Sequence, residues 1–463
     1  MVPDGEFFAR VLGAEWRGGV PAEIGGAQID TRKIGRGEIF VALKTENRDG
    51  HAFLGAARER GAAGALVSRF VPEFAAFPQL VVPDTAAALR RVAAAHRAEH
   101  CRGRVTVFGV TGSVGKTSTK DLLAAICGNA APTLATAGNL NNLLGVPMTL
   151  LKIDPRVHRF AVVEAGMSVP GEMAALAAMI RPDVALVTNV CPAHLEGLGS
   201  LENIAREKSA LAAALAPGGK AFFYEELLRF EAFRALATGT VCAAQKPALR
   251  ERADGFEIAI RRAAGTETFF VKNASRGLAE NAALAVLATE KFVPAEAIRR
   301  ALAERKPSAN RGEIRRRIFP ENSAGAEQGA EWKVFADCYN ASPASMADSA
   351  AFFARRFPAG ADAPRLFVLG GMGELGADSA ALHFGVGEKL PLDASTDFLA
   401  LFGGNAAQIG EGAAARGFPR ERIRVFSEIA DLRAFIAAFR GNVMVKGSRA
   451  FALERAVPEL GAD

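Results

Sequence analysis

Val105-Thr106-Val107-Phe108-Gly109-Val110-Thr111-Gly112-Ser113-Val114-Gly115-Lys116-Thr117-Ser118-Thr119 begins as an apolar, β-prone run and closes on Gly-Lys-Thr. Strand, glycine loop and helix in that order are what a phosphate-binding loop requires. Gly112 and Gly115 let backbone N–H groups turn inward around phosphate oxygens, and Ser113, Val114 and Ser118 complete the cradle. Lys116 is placed to reach the β and γ phosphates, and the Thr117 hydroxyl to ligate Mg²⁺. The stretch predicts a nucleoside triphosphate site in an α/β domain. One position departs from the strict spacing: Val110 stands where a glycine is expected five residues before Gly115, and Gly109 comes one residue too early.

Working outward, the same alternation of buried-type strands and helical segments continues to about Gly312. Phe160–Val163, Val184–Thr188 and Ala221–Phe223 are its strands, which predicts a mostly parallel sheet covered by helices. Upstream, Glu38–Leu43, Gly64–Val67 and Leu80–Val82 alternate with alanine-rich stretches as in a small α/β domain. An alanine-rich helix over Thr85–His100 leads to a boundary at Arg102-Gly103-Arg104. Downstream, Ile314–Phe319 and Trp332–Ala336 flank a polar loop, Pro320–Glu331, expected as an exposed hairpin insertion. Strands at Leu366–Leu369, Phe398–Phe402, Ile423–Phe426 and Val443–Val445 then predict a doubly wound, Rossmann-like domain. The expected division is 1–103, 104–312 and 313–463, with no tandem repeat.

A chain of 463 residues, half of them hydrophobic, has material for about three cores. No export signal or membrane-length apolar run is present, so no membrane insertion is expected. The five cysteines are scattered and form no C-x-x-C pair, which speaks against a disulfide framework or zinc site and for a reducing cytoplasm. The net charge of +6 is densest from Arg299 to Arg317. That run lacks interleaved aromatics, so it predicts a solvated helix face and an interdomain connection, with no nucleic acid partner; small polyanions such as nucleotides suit the charge balance.

Ligands of parallel sheets meet the loops at the strands' carboxyl ends. Glu164 and Asn189 stand there, with His194 a few residues beyond. Glu164 suits the Mg²⁺ that also touches Thr117, because a hard cation takes carboxylate and hydroxyl oxygens beside phosphate. Taken alone, Glu164 is more often a cap or surface charge, His194 more often a structural histidine, and Lys208 ordinarily a solvated helix lysine. Thr136–Pro147 is an amide-rich loop suited to substrate contact, with Asn139, Asn141 and Asn142 in it. Asp337 to Pro343 ends a strand with a carboxylate of the kind that binds ribose hydroxyls.

Together, and in this order, these segments resemble the Mur ligase family, whose phosphate loop has the variant form Thr-Gly-Ser-Val-Gly-Lys-Thr. Gly138–Asn142, Asp337–Pro343 with Ser345-Met346, Val368–Gly376 with His383, and Val445–Arg449 are most similar to the member that adds D-alanyl-D-alanine. Asp30-Thr31-Arg32, Gly37, Phe40–Leu43 and Asp49-Gly50-His51 resemble the uridine-nucleotide-binding domain, so the likeness spans nearly the whole chain. The resemblance implies that Thr117 and Glu164 hold one Mg²⁺, and that His194 and a carbamylated Lys208 serve a second. It implies that Asn281 contacts adenine, Arg311 approaches the phosphates, Asp337 contacts ribose, and Lys446–Arg449 helps build the dipeptide site. Thr31, Arg32, Asn139, Asn141, Asn142 and Asn340 become candidate substrate contacts, and Lys116, Lys208, His194 and Arg311 candidate catalytic residues.

The implied reaction is ATP-dependent, ADP-forming amide synthesis between UDP-N-acetylmuramoyl-tripeptide and D-alanyl-D-alanine through an acyl phosphate, in a monomeric cytoplasmic enzyme of cell-wall precursor synthesis. The competing readings are a family member adding a single amino acid and, from another class, a nucleotide-binding scaffold that closes without ligation. Two departures stand out. Arg276–Asn281 lacks the histidine of the family's Gly-His-x-x-x-Asn, and Gly371 replaces the usual aspartate of Leu-Gly-Asp-Met.

Overall fold

The strand Thr106–Thr111 lies at the centre of the molecule because both of its faces are apolar and each is covered by helices. The computed structural model describes residues 3–236, 238–262, 265–317, 332–361 and 363–460. Its first sheet comprises β1 (Trp16–Arg17), β2 (Ala27–Gln28), β3 (Ile39–Val41), then, past a separate hairpin of β4 (Lys44–Thr45) and β5 (Arg48–Asp49), β6 (Gly64–Val67) and β7 (Gln79–Val81). The order is β1-β7-β6-β3-β2, parallel except for β1.

Asp84 caps the following helix, Thr85–His96, by accepting from the Ala87 N–H at 2.9 Å. The helix stops short of His100 as an α-helix and widens into a π turn over Arg97–Cys101. That turn carries Arg97, whose buried guanidinium donates to the carbonyls of Ile180 and Arg181 and to Asp183. Leu89, Val92 and Ala93 on this helix share one core with Val146 and Leu150 of the central unit. Each such fully buried Val or Leu contributes roughly 1.5–3 kcal/mol, so the first two sheets are joined by packing as well as by the chain.

The central sheet contains β8 (Thr106–Thr111), β9 (Thr133–Ala135), β10 (Phe160–Glu164), β11 (Val184–Val187), β12 (Lys220–Tyr224) and β13 (Val241–Ala244). All are parallel, in the order β13-β12-β11-β8-β10-β9. The chain reverses its direction of travel at β8, which makes the carboxyl ends of β8, β10 and β11 a switch-point crevice. Val110 is buried within β8, paired with Glu164 on one side and Leu186 on the other. It belongs to the strand and needs no glycine.

Simple β/α alternation does not extend to Gly312. β14 (Ala248–Arg252), β15 (Gly255–Arg262) and β16 (Gly265–Lys272) form an antiparallel sheet. Phe256, Ile258 and Ile260 recur at every second position and bury one face in the same core as helix Arg276–Thr289, a period-two signal that the helix-rich surroundings mask.

The last sheet contains β17 (Glu313–Arg316), β18 (Lys333–Ala336), β19 (Arg365–Gly370), β20 (Phe398–Phe402), β21 (Ile423–Phe426) and β22 (Asn442–Lys446). Its order is β17-β18-β22-β19-β20-β21, with only β17 antiparallel. The expected insertion Pro320–Glu331, with Ile318 and Phe319 before it, lies outside the described residues. The basic run is not simply solvated. Arg317 is buried and donates to the carbonyls of Ile436, Phe439 and Gly441, while burial lowers Arg305 to about 10 as it reaches the Asn273 carbonyl. Among the described residues no helix is long and apolar enough to cross a membrane.

Candidate active site

Gly112 and Gly115 both have positive φ, and neither position has room for a side chain. A Cβ would fall 1.9 Å from Thr188 Oγ1 at Gly112 and 2.3 Å from Asn281 Nδ2 at Gly115. The loop between them is pinned to the segment after β11: the Val114 N–H donates to Asn189 Oδ1 (2.9 Å), Thr188 Oγ1 donates to the Val114 carbonyl (2.7 Å), and Ser113 Oγ to the Cys191 carbonyl (2.9 Å). Helix Lys116–Gly128 starts at Gly115 without a side-chain cap, so its first N–H groups and its positive dipole end are available to an anion. Lys116 Nζ donates to the carbonyls of Gly112 (2.9 Å) and Ser113 (3.3 Å). Burial lowers its pKa, opposed by the Glu164 carboxylate.

Glu164 closes β10 and is 1% exposed. Its Oε1 accepts from Thr117 Oγ1 (3.0 Å) and Asn141 Nδ2 (2.7 Å), while its buried Oε2 has no partner. A buried carboxylate oxygen left unpaired beside a hydroxyl is the donor set a hard cation takes. Lys208 overturns its reading as a solvated lysine: it is 0% exposed on helix Leu201–Ala213, and its Nζ has no hydrogen-bond partner. Burial first, and the Lys116 charge second, hold its pKa well below the ordinary value. His194 sits at φ +57, and its Nδ1 pairs with Glu374 of the last domain. That contact holds the Glu374 carboxyl below its ordinary pKa. No group of three or more His, Cys, Asp or Glu that could hold a metal occurs among the described residues, so any ion here must draw part of its coordination from phosphate and water.

Facing these groups, the last domain completes a cavity of about 820 Å³. Ser113 to Ser118, Glu164, His194, Asn281, Arg311 and Asp337 all line it, as do Asn141, Asn142 and Asn340. Gly112, Lys208, Thr31, Arg32 and Asn139 do not line it; Arg32 is exposed and forked onto Asp30, with Nε–Oδ1 2.9 Å and Nη2–Oδ2 2.8 Å. Several side chains already have protein partners. Asn141 supports Glu164, Asn142 Oδ1 accepts from the N–H groups of Leu144 and Gly145, and Asn340 Oδ1 accepts from the Ala341 N–H. Asp337 Oδ2 accepts from Lys446 Nζ (2.6 Å) and Ser349 Oγ (2.5 Å), so it orients Lys446 whatever else it binds. Arg311 lies over the Tyr339 ring, 3.8 Å from its centroid.

Both departures have structural counterparts. A Cβ at Gly277 would come 2.9 Å from Asp348 Oδ2. The Asp348 carboxylate crosses from helix Pro343–Arg356 to accept from Ser275 Oγ (2.5 Å) and the Gly277 N–H (3.0 Å). A Cβ at Gly371 would meet the Gly403 carbonyl and the Phe451 ring, each at 2.9 Å. Sequence reasoning gave Asp348 and Glu374 no role. Asp348 carries no local signal, whereas Glu374 lay inside the motif Val368–Gly376 and could have been singled out as its one acid. Cys338 is buried and burial pushes its thiol up to about 12, so it is a packing residue. Cys338→Ser is expected to keep ligase turnover within a few-fold of wild type; a folded but inactive variant in a steady-state assay would mean a catalytic thiol.

The parallel sheet, the phosphate loop at its switch point and a second doubly wound domain facing it define a nucleotide-dependent enzyme of the phosphate-loop class. Residues 110–288 match the Mur ligase middle domain and 324–449 the Mur ligase glutamate ligase domain. The chain belongs to the Mur ligase family and is an ATP-dependent carbon–nitrogen ligase. It is 33% identical to the UDP-N-acetylmuramoyl-tripeptide--D-alanyl-D-alanine ligase of Escherichia coli K12, over 93% of this chain and 92% of that one. A crystal structure of MurF from Acinetobacter baumannii superposes with a TM-score of 0.81 at 27% identity, covering 98% of both chains. MurF ligase from Thermotoga maritima in complex with ADP shares the fold, with a TM-score of 0.73 at 24% identity over 93% of this chain and 96% of that one.

Proposed function

We propose that the chain joins D-alanyl-D-alanine to UDP-N-acetylmuramoyl-tripeptide in the cytoplasm, with residues 1–103 binding the uridine nucleotide, 104–312 ATP, and 313–463 completing the ligase site. The observation that carries this reading is the convergence in one cavity of the phosphate loop, the half-satisfied Glu164 and the Arg311, Asp337 and Lys446 side of the last domain. A carboxylate resists an amine because it is already anionic and its oxygen leaves poorly. Transfer of the γ-phosphoryl group to the tripeptide's terminal carboxylate removes both obstacles, and the dipeptide amine then displaces phosphate. The loop N–H groups and Lys116 hold the phosphates, and Arg311 approaches them from across the cavity. A lid formed by the last domain keeps water from the acyl phosphate.

Thr117 and Glu164 would hold one Mg²⁺, and His194 with a carbamylated Lys208 a second; bound there, the ions supply Lewis-acid neutralisation of the phosphoryl oxygens. Lys208 suits the modification because burial favours its neutral amine, the form that adds to CO₂, and the product is a carbamate and a released proton. Measuring ADP release with the UDP-muramoyl tripeptide and a panel of amines tests the assignment. D-alanyl-D-alanine is expected to support turnover at least about a hundredfold above any single amino acid. A preference for a single amino acid would place the chain on another branch of the family, and ADP release indifferent to both co-substrates would remove it from the ligases.

A further inference from the structure

The loop after β19 enters the phosphate site from the opposite domain. Glu374 there has φ +61 and His194 has φ +57, left-handed conformations that residues with side chains rarely adopt. The two meet across the interface: the Glu374 carboxylate pairs with His194 Nδ1, and the Glu374 carbonyl accepts from the Glu196 N–H at 3.2 Å. At Gly376 the loop lies within ordinary van der Waals reach of Glu196, a Cβ there falling 3.5 Å from its Cα. Its other side is fastened to its own domain, with the Gly373 N–H donating to Ser448 Oγ (2.8 Å) and the Ser448 N–H to the Gly371 carbonyl (3.0 Å). The carboxylate is therefore delivered by an anchored backbone and not by a freely swinging side chain.

We propose that Glu374 is a positioning residue for phosphoryl transfer: its carboxylate, set against the Nδ1 edge of His194, holds the ring so that Nε2 is left for the ion, and so completes the second Mg²⁺ site only when the last domain is docked. The proposal rests on the assignment of His194 to that site. A carboxylate behind a ligating imidazole sets both ring orientation and basicity, and removing it weakens metal affinity by about 10–100-fold. Because Glu374 and His194 come from different domains, the same contact links domain docking to readiness for catalysis, so a nucleotide bound to an open enzyme would meet an unprepared histidine. Glu374 is 53% exposed on its side chain even in this docked arrangement, so its place is fixed by the loop and by His194, with little burial to hold it.

The test is Mn²⁺ binding to the full-length enzyme with a non-hydrolysable ATP analogue, followed by electron paramagnetic resonance. Wild type is expected to bind two ions. The near-isosteric Glu374→Gln should retain the tighter ion and weaken the other by about 10–100-fold; His194→Ala should show a loss at the same ion, and adding Glu374→Gln to His194→Ala should cost nothing further. Unchanged binding of both ions in Glu374→Gln would overturn the proposal. So would a further loss in the His194→Ala background, since Glu374 would then act without the histidine. Failure of wild type to bind Mn²⁺ beside the nucleotide would instead overturn the metal-site reading on which the proposal stands.

Discussion

Lys116→Ala is expected to lower the rate of ADP formation by about two to three decades, a loss of roughly 2.7–4 kcal/mol in transition-state stabilisation. The ammonium donates to the carbonyls of Gly112 and Ser113, and desolvation lowers its pKa. A polyphosphate anion beside it would offset that desolvation by charge. Alanine removes that charge while leaving the backbone cradle, so nucleotide binding should weaken less than turnover. The comparison of kcat with nucleotide Kd in a variant of unchanged melting temperature checks this. Near-normal turnover would sink the assignment of the phosphate loop to catalysis.

Lys208→Ala is expected to be nearly inactive, down by at least about a hundredfold, and partly recovered by millimolar short carboxylic acids such as acetate or formate. An unmodified buried lysine cannot explain both halves of that result. A cationic Nζ would repel Mg²⁺, and a neutral amine with no partner would be a pure cost of burial. A carbamate turns the same side chain into an anionic oxygen donor, and the space vacated in the alanine variant admits a small carboxylate in its place. Lys116→Ala serves as the control that carboxylates should not rescue. Full activity in Lys208→Ala, or a loss that no carboxylate relieves in a correctly folded variant, would refute the carbamate.

The phosphate loop and the strands around it were legible because their signals are local: an apolar run, glycines at fixed offsets and a Gly-Lys-Thr helix start. The parallel order of the central sheet followed from the same alternation, whereas β14 to β16 were hidden because their period-two pattern lies between alanine-rich helices. Lys208 shows the limit of local reading. Its neighbours Arg206 and Glu207 are polar, and only the packing of Ile204, Ala205, Leu211 and Ala212 turns its side chain inward. Arg305 and Arg317 were misjudged as part of a solvated run for the same reason, since the carbonyls they satisfy lie 32 residues upstream and more than 100 downstream. Asp348 and Glu374 act only across a domain interface, and no periodicity within their own elements encodes the partner.

Phe451 packs against Gly371, Gly403 and Gly404, so that any side chain begun at Gly371 collides with its ring. The aspartate usual at that position in the family therefore cannot be restored alone; both the ring at 451 and the Gly403 carbonyl have to give way. In evolutionary terms the two positions are epistatic. A lineage moving between the two states has to pass through either a clash, with both bulky groups present, or a void, with neither. The void is the passable intermediate, because a loop edge can relax around missing volume more readily than around excess. Glycine at 371 leaves the space that the Phe451 ring occupies.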